Sequence, residues 1–211
     1  MRKVFWENPY QTCLMTKVSE VNGNEFLFEE TIAYSFSGGQ ESDKAYINDI
    51  PILDSRKDGN LIYYSLPSNH NLKVGDEVKM LIDWPRRLRL MRLHFAAELV
   101  LEIVTQKYHL EKVGAHIAEN KSRIDFIYPE HISTLFESIL QEYNKIIEAD
   151  LPIQTGFTDI ESQRRFWKID GFAEVPCGGT HVKSTREVGH VTLKRHRSAK
   201  GVERIEIYLV N

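Results

Sequence analysis

The sequence has little of what would brace a fold from outside its own core. Cysteine occurs only at Cys13 and Cys177 in 211 residues, which excludes a disulfide framework and leaves each thiol needing a reason of its own. No apolar run reaches membrane-spanning length, and residues 1–10 mix Arg2, Lys3 and Glu7 with Pro9 where a signal peptide would carry an apolar core. These absences predict a cytoplasmic protein with no membrane contact. Repeats and low-complexity stretches are missing too. Nor is positive charge in excess: 27 Lys and Arg face 30 Asp and Glu, a formal net charge of −3. That balance argues against a protein that coats nucleic acid with its whole surface, while leaving room for a local basic face. What is present, with 42% hydrophobic residues, is an ordinary globular chain long enough for one large domain or two small ones.

The texture changes part-way along. Up to about Asp83, short segments rich in Val, Ile, Tyr, Phe and Thr alternate with turn signals at Asn22-Gly23-Asn24, Gly38-Gly39, Asp58-Gly59-Asn60 and Pro67-Ser68-Asn69. The pattern predicts a compact β domain over residues 1–84 whose turn spacing resembles a small barrel, with residues 72–78 leading into its last strand. From Pro85, apolar residues from Leu88 to Val104 recur at helical intervals, with Asp83 and Pro85 as start signals, and predict a helix of roughly twenty residues. A strand at 123–128 and a second amphipathic helix opened by Pro129 follow. Segments 166–169, 187–193 and 202–210 read as strands of one sheet beneath the two helices, giving an α+β second domain over 85–211.

Two spaced pairs of donors stand out. His94 and Glu98 are four residues apart on the predicted helix, one turn apart on the same face. Such a pair is also what a surface hydrogen bond looks like. Cys177-Gly178-Gly179-Thr180-His181 sets a thiolate and an imidazole around two glycines, whose backbone freedom would let both ligands fold toward one point. Equally, Cys177 could be a small buried hydrophobe and His181 a strand residue beside a tight turn. Taken together, His94, Glu98, Cys177 and His181 offer N, O, S and N donors. That set suits zinc and suits magnesium or calcium poorly.

These residues carry a resemblance. A His-x-x-x-(His or Glu) pair on a helix followed some eighty residues later by Cys-Gly-Gly-Thr-His is similar to the editing domain of alanyl-tRNA synthetase and its freestanding AlaX relatives. Further strings agree. Phe36-Ser37-Gly38-Gly39-Gln40-Glu41-Ser42-Asp43 resembles the family's glycine-rich loop, Gly114-Ala115-His116 through Arg123-Ile124-Asp125-Phe126 resembles its Gly-Ser to Arg-x-Asp-Phe stretch, and Gly201-Val202-Glu203-Arg204-Ile205-Glu206 resembles one of its strands. With a β-rich half ahead of the core, the chain looks like the medium-length form, and its length is too short for a complete ligase. The family commonly has His where Glu98 stands and a small or hydroxylated residue where Phe95 stands.

The resemblance implies a fold of the threonyl/alanyl-tRNA synthetase second additional domain type. It also implies a zinc-dependent hydrolase that removes a wrong amino acid, serine first, from the alanine-accepting tRNA. Metal ligands would be His94, Glu98, Cys177 and His181, with Glu98 either binding the metal or partnering His94. Gln40, His94, Cys177 and His181 would serve catalysis. The substrate would meet Gly38, Gly39, Gln40 and Thr180, as well as Lys194 and Arg195 within the basic stretch 183–200, which otherwise marks a solvated face. Arg86, Arg87, Arg89 and Arg92 at the start of the long helix could extend that surface. Two other readings stay open: a degenerate module that binds tRNA without hydrolysis, and an editing enzyme for another ester.

Overall fold

The computed structural model describes residues 1–210. The chain forms two compact units, one from Met1–Ser37 with Glu41–Arg87, the other from Gly38–Gln40 with everything from Leu88 onward. The three residues Gly38–Gln40 therefore leave the first unit and belong to the second.

The first unit is built on a seven-stranded antiparallel sheet in the order Ile50–Pro51, Ala45–Ile47, Glu77–Ile82, Cys13–Asn22, Glu25–Phe28, Leu61–Ser65, Asp54–Asp58. Period-two patterning fixes its inner face: Val78, Met80 and Ile82 are buried between exposed Glu77 and Lys79, and Ile62 and Tyr64 are buried in the same way. The ten-residue strand Cys13–Asn22 does two jobs. Its first half pairs with Glu77–Ile82 and its second with Glu25–Phe28, with a register shift between Val18 and Glu20. An irregularity at that point sharpens bend and twist, and the sheet curls into a half-barrel around Phe26, Phe28, Ile47, Ile62 and Met80. This is the small barrel that the turn spacing predicted.

The long helix runs Trp84–Tyr108. Asp83 Oδ1 accepts from Arg86 N at 3.0 Å, satisfying one of the helix's orphan donors, and Pro85 sits in the first turn where its missing N–H costs nothing. Residues 93–97 are all buried, so the helix is covered on every side there and must have neighbours all round, with His94 the one polar side chain among the five. Leu90 and Leu93 pack with Ile117 and Leu209, while Phe95 meets Trp167 edge-on with ring centroids 5.1 Å apart.

Those partners lie on two sheets. One has four antiparallel strands in the order Lys112–Ile117, Ser122–Ile127, Val202–Leu209, Val191–Ala199; the other has three, Gln154–Asp159, Arg164–Ile169 and Ala173–Pro176. The predicted α+β character holds, and Val202–Leu209 pairs with Val191–Ala199, but the three segments expected to share one sheet do not all do so. The strand around 166–169 belongs to the three-stranded sheet, and much of 187–193 is not strand. Thr185–Val188 is a short helix closed by Gly189 at φ 77°, a backbone conformation that favours glycine and breaks the run. The second helix also starts later than Pro129: a 3-10 turn over Ile132–Leu135 leads into Phe136–Glu148. Its buried face is Ile139, Tyr143 and Ile147. No described helix is long and apolar enough to cross a membrane.

Candidate metal centre

His94 projects from the long helix, and Cys177 and His181 from the loop after the strand Ala173–Pro176. The donor atoms of these three residues lie within 4.8 Å of one another. Cys177 Sγ is 3.5 Å from His94 Nε2 and 3.3 Å from His181 Nε2. His94 and His181 are buried and Cys177 is half-buried, so the group is sheltered yet reachable from the thiol side. Backbone register delivers the loop: Phe166 pairs with Pro176, and Cys177 N donates to Arg165 O at 2.8 Å.

Gly179 makes the convergence possible, for a reason of space. A Cβ there would lie 2.0 Å from His94 Cε1 and 2.4 Å from Nδ1, whereas one on Gly178 would meet nothing within 4 Å. Backbone freedom, the role expected of both glycines, is not what this loop uses: among the described residues neither has a positive φ. Gly38 and Gly39 do, at 59° and 86°, and a Cβ on Gly39 would come 2.9 Å from Ala115 O. Their turn lets Ile117 N donate to Gly39 O at 2.8 Å, which docks the glycine-rich segment on the edge strand Lys112–Ile117.

That docking carries Gln40 into the centre. Gln40 is 0% exposed. Its Nε2 donates to Thr180 Oγ1 at 3.0 Å, and its Oε1 accepts from Thr180 N at 3.3 Å and lies 2.6 Å from His94 Nδ1. With Oε1 as acceptor, Nδ1 carries a proton, so Nε2, on the side of Cys177, is the ring nitrogen left to offer a lone pair to a cation. Glu98 Oε1 is 3.2 Å from that same Nε2. Glu98 is outside the tight trio, yet it stands on the donor side of the ring; the rear of the ring is taken by Gln40.

The electrostatics fit a site built for a cation. Burial alone would lower the His94 pKa, but Cys177 and then Glu98 beside its ring outweigh burial and hold it at about 10. Burial works against ionised Glu98, and its hydrogen bond to His94 overrides that, lowering it to about 2. His181 is pushed well below the usual histidine range by burial and by charged His94, which leaves it a neutral donor. Anionic and neutral donors that converge tightly enough to keep a proton on a buried ring offer a dication a ready place.

The other expected residues are spread out. Thr180 sits with Gln40. Lys194 is exposed, its Nζ 5.0 Å from the Tyr208 ring centroid; Arg195, next along the strand, is held by Glu203 through two hydrogen bonds, one of them 2.7 Å from Nη2 to Oε1. The helix arginines do not form one surface. Arg87 is fully buried and binds Asp43, Pro9 O at 2.9 Å and Ile32 O at 2.6 Å. Arg86 reaches Glu41 at 2.8 Å, Arg89 pairs with Glu119, and Arg92 Nε donates to Val188 O at 3.0 Å. Buried Asp43 and backbone carbonyls hold Arg87 within the core, while the partners of Arg86 and Arg89 lie nearer solvent. Sequence reasoning missed Arg165, whose Nη1 donates to Gly179 O at 3.3 Å from a buried position; no motif in the sequence pointed to it.

Comparison with known proteins agrees with this architecture. The alanyl-tRNA editing protein AlaX-M of Pyrococcus horikoshii is 36% identical over 99% of this chain and 97% of that protein. The chain belongs to the AlaX family. The family profile of the threonyl and alanyl tRNA synthetase second additional domain matches residues 165–206 of this AlaX chain, a stretch that includes Cys177 and His181. Alanine–tRNA ligases of Staphylothermus marinus and Methanococcus maripaludis are 30% and 28% identical over 97% and 96% of the chain, which spans only 25% of each ligase.

Proposed function

We propose that this chain is a zinc-dependent hydrolase that deacylates mischarged alanine-accepting tRNA, with seryl-tRNA as its first substrate. The observation that carries this is the trio of buried His94, half-buried Cys177 and buried His181, converging within 4.8 Å in a chain of the AlaX family. Nitrogen and sulfur donors at that spacing favour zinc over oxygen-seeking ions. Glu98 completes the donor set from the open side of His94. A carboxylate in place of a neutral imidazole lowers the net charge of the centre and so weakens its Lewis acidity. Bound zinc would supply polarisation of the ester carbonyl or a hold on the substrate's amino group.

The chain's own residues do the rest. Gln40 is a positioning residue: it fixes the tautomer and aim of His94 and ties Thr180, between the two loop ligands, to the same point. Serine discrimination follows from hydrogen bonding. A pocket that satisfies the serine hydroxyl leaves a buried polar group unpaired when alanine enters, a penalty of roughly 1–3 kcal/mol per group. Lys194 on the exposed sheet face is available to the tRNA backbone, and Arg195 serves mainly to hold Glu203. The site supports no separate case for a binding-only module.

The test is deacylation of seryl-tRNA and alanyl-tRNA for alanine by protein of measured zinc content, with Cys177→Ala as control. Serine release that spares alanine and disappears with Cys177→Ala is the expected result. Stoichiometric zinc without release would sink the hydrolase reading and leave tRNA binding.

A further inference from the structure

The four-stranded sheet has two unlike faces. Ile117, Ile124, Phe126, Ile205 and Ile207 point to one and are buried, and there Leu90 and Leu93 of the long helix meet Ile117 and Leu209. The strand register sets the other. His116, Arg123, Glu206 and Lys194 stand opposite one another across all four strands, and Asp125, Arg204 and His196 form the next row across three of them. Strands lie about 4.8 Å apart, so the first row is about 14 Å wide. Neither row holds an apolar side chain, whereas a protein partner is held by buried aromatic or aliphatic anchors.

Bases outnumber acids on this face, against the trend of a chain whose net charge is −3. Asp125 and Glu206 are the acids of the two rows. Arg123, Arg204 and Lys194 are their bases, and Lys121 adjoins the first row. Both carboxylates are engaged within the sheet: Asp125 accepts from Arg204 Nε at 2.6 Å and from Arg123 Nη1, and Glu206 accepts from Lys121 Nζ at 2.6 Å and from the Tyr208 hydroxyl at 2.8 Å. These contacts hold the cations in place without using them up, since a guanidinium has five N–H donors and an ammonium three. Lys194 Nζ and Lys121 Nζ lie 5.0 and 5.8 Å from the centre of the same Tyr208 ring, so two ammonium groups flank one aromatic side chain. Lys194 is exposed, and the Lys121 and Arg123 side chains are 36% and 31% exposed.

Double-stranded RNA is recognised mainly through its phosphates and 2′-hydroxyls, which calls for a broad face of cations and donors and no deep pocket. We propose that this face binds the phosphate backbone of the substrate tRNA in a helical region, through Lys121, Arg123 and Lys194. Such a contact lies away from the acylated end, because the helix that carries His94 packs on the opposite side of the sheet. The assignment rests on the reading of the chain as a protein that acts on tRNA.

The test is binding of uncharged alanine-accepting tRNA to the full chain, followed by fluorescence anisotropy over a range of salt concentrations, so that no turnover is needed. Lys121→Ala and Lys194→Ala should each weaken binding roughly fivefold near physiological salt and lower the slope of log affinity against log salt by about one. Lys194→Arg should keep wild-type affinity. Lys145→Ala removes an exposed lysine from the helix Phe136–Glu148 and should change neither quantity. Unchanged affinity and slope in both sheet variants overturn the face, as does an equal loss in Lys145→Ala. A wild type that binds polyglutamate as tightly as tRNA overturns the choice of RNA. If seryl-tRNA is deacylated while both sheet variants bind like the wild type, the face fails and the hydrolase reading stands. If both variants lose tRNA affinity and the wild type deacylates nothing, the face stands and the hydrolase reading fails.

Discussion

At the scale of single residues, the donors were legible in the sequence because metal ligation restricts residue type, and their geometry was not, because packing decides it. His94, Cys177 and His181 could be named from their spacing. The two glycines between them looked equivalent, and the structure separates them: Gly179 lies against His94 and Gly178 faces open space. Gly179→Ala must therefore displace the His94 ring and should abolish both zinc retention and activity, while Gly178→Ala should keep both. Metal analysis of the two purified variants checks this, and equal zinc content would refute the steric account. Gln40 was named from the glycine-rich string, but its hydrogen bond to His94 was not legible there. Gln40→Ala frees the ring to rotate and leaves Thr180 without its partner. Zinc affinity should fall by about 10–100-fold, read by competition against a chromophoric chelator; an unchanged affinity would mean that ring orientation does not depend on the amide.

At the scale of elements, periodicity exposed the long helix and the strands of the first half, where alternation is clean. It failed around residues 185–189, where Gly189 interrupts an otherwise strand-like run. Some motif strings turn out to be sheet fastenings. Asp125, from the Arg-x-Asp-Phe string, is gripped by Arg123 and by Arg204, the latter at 2.6 and 3.1 Å, which ties neighbouring strands to each other. Asp43 of the glycine-rich loop likewise binds buried Arg87. The N-terminal strand Arg2–Lys3, parallel to Glu30–Thr31, contains a charge that folding buries. Lys3 is 5% exposed, and burial, with Lys57 nearby, lowers its pKa to about 8. Between pH 8 and the ordinary lysine value the unfolded chain then holds the extra proton, so stability should rise with pH across that window. Urea midpoints measured from pH 7 to 10 should climb in the wild type and stay flatter in Lys3→Met, which should also be the more stable of the two at pH 7. Parallel pH profiles would show that Lys3 keeps its charge at no cost.

At the scale of the whole molecule, the change in periodicity led to an expected boundary at 84, whereas the two compact units divide between Arg87 and Leu88; the excursion of Gly38–Gln40 into the second unit left no trace in the sequence, because three residues carry no pattern. The consequence is that every residue of the candidate centre, Gln40 included, belongs to one unit. Zinc bound there joins helix residue 94 to loop residues 177 and 181 and should stabilise that unit by mass action. At free zinc about 100-fold above Kd the gain is about 2.7 kcal/mol, which for a chain of this size moves a melting transition by roughly 5–10 °C. The three tryptophans divide usefully. Trp6 and Trp84 fall in the first unit and Trp167 in the second, where Phe95 touches both Trp167 and His181, with centroids 5.1 and 5.5 Å away. In a Trp6→Phe, Trp84→Phe protein, fluorescence reports the second unit alone, and chelation should lower its melting temperature by that amount. In Trp167→Phe, fluorescence reports the first unit, and its transition should hardly move. Equal shifts in both would mean that the two units melt as one, and no shift in either would remove the metal from the site.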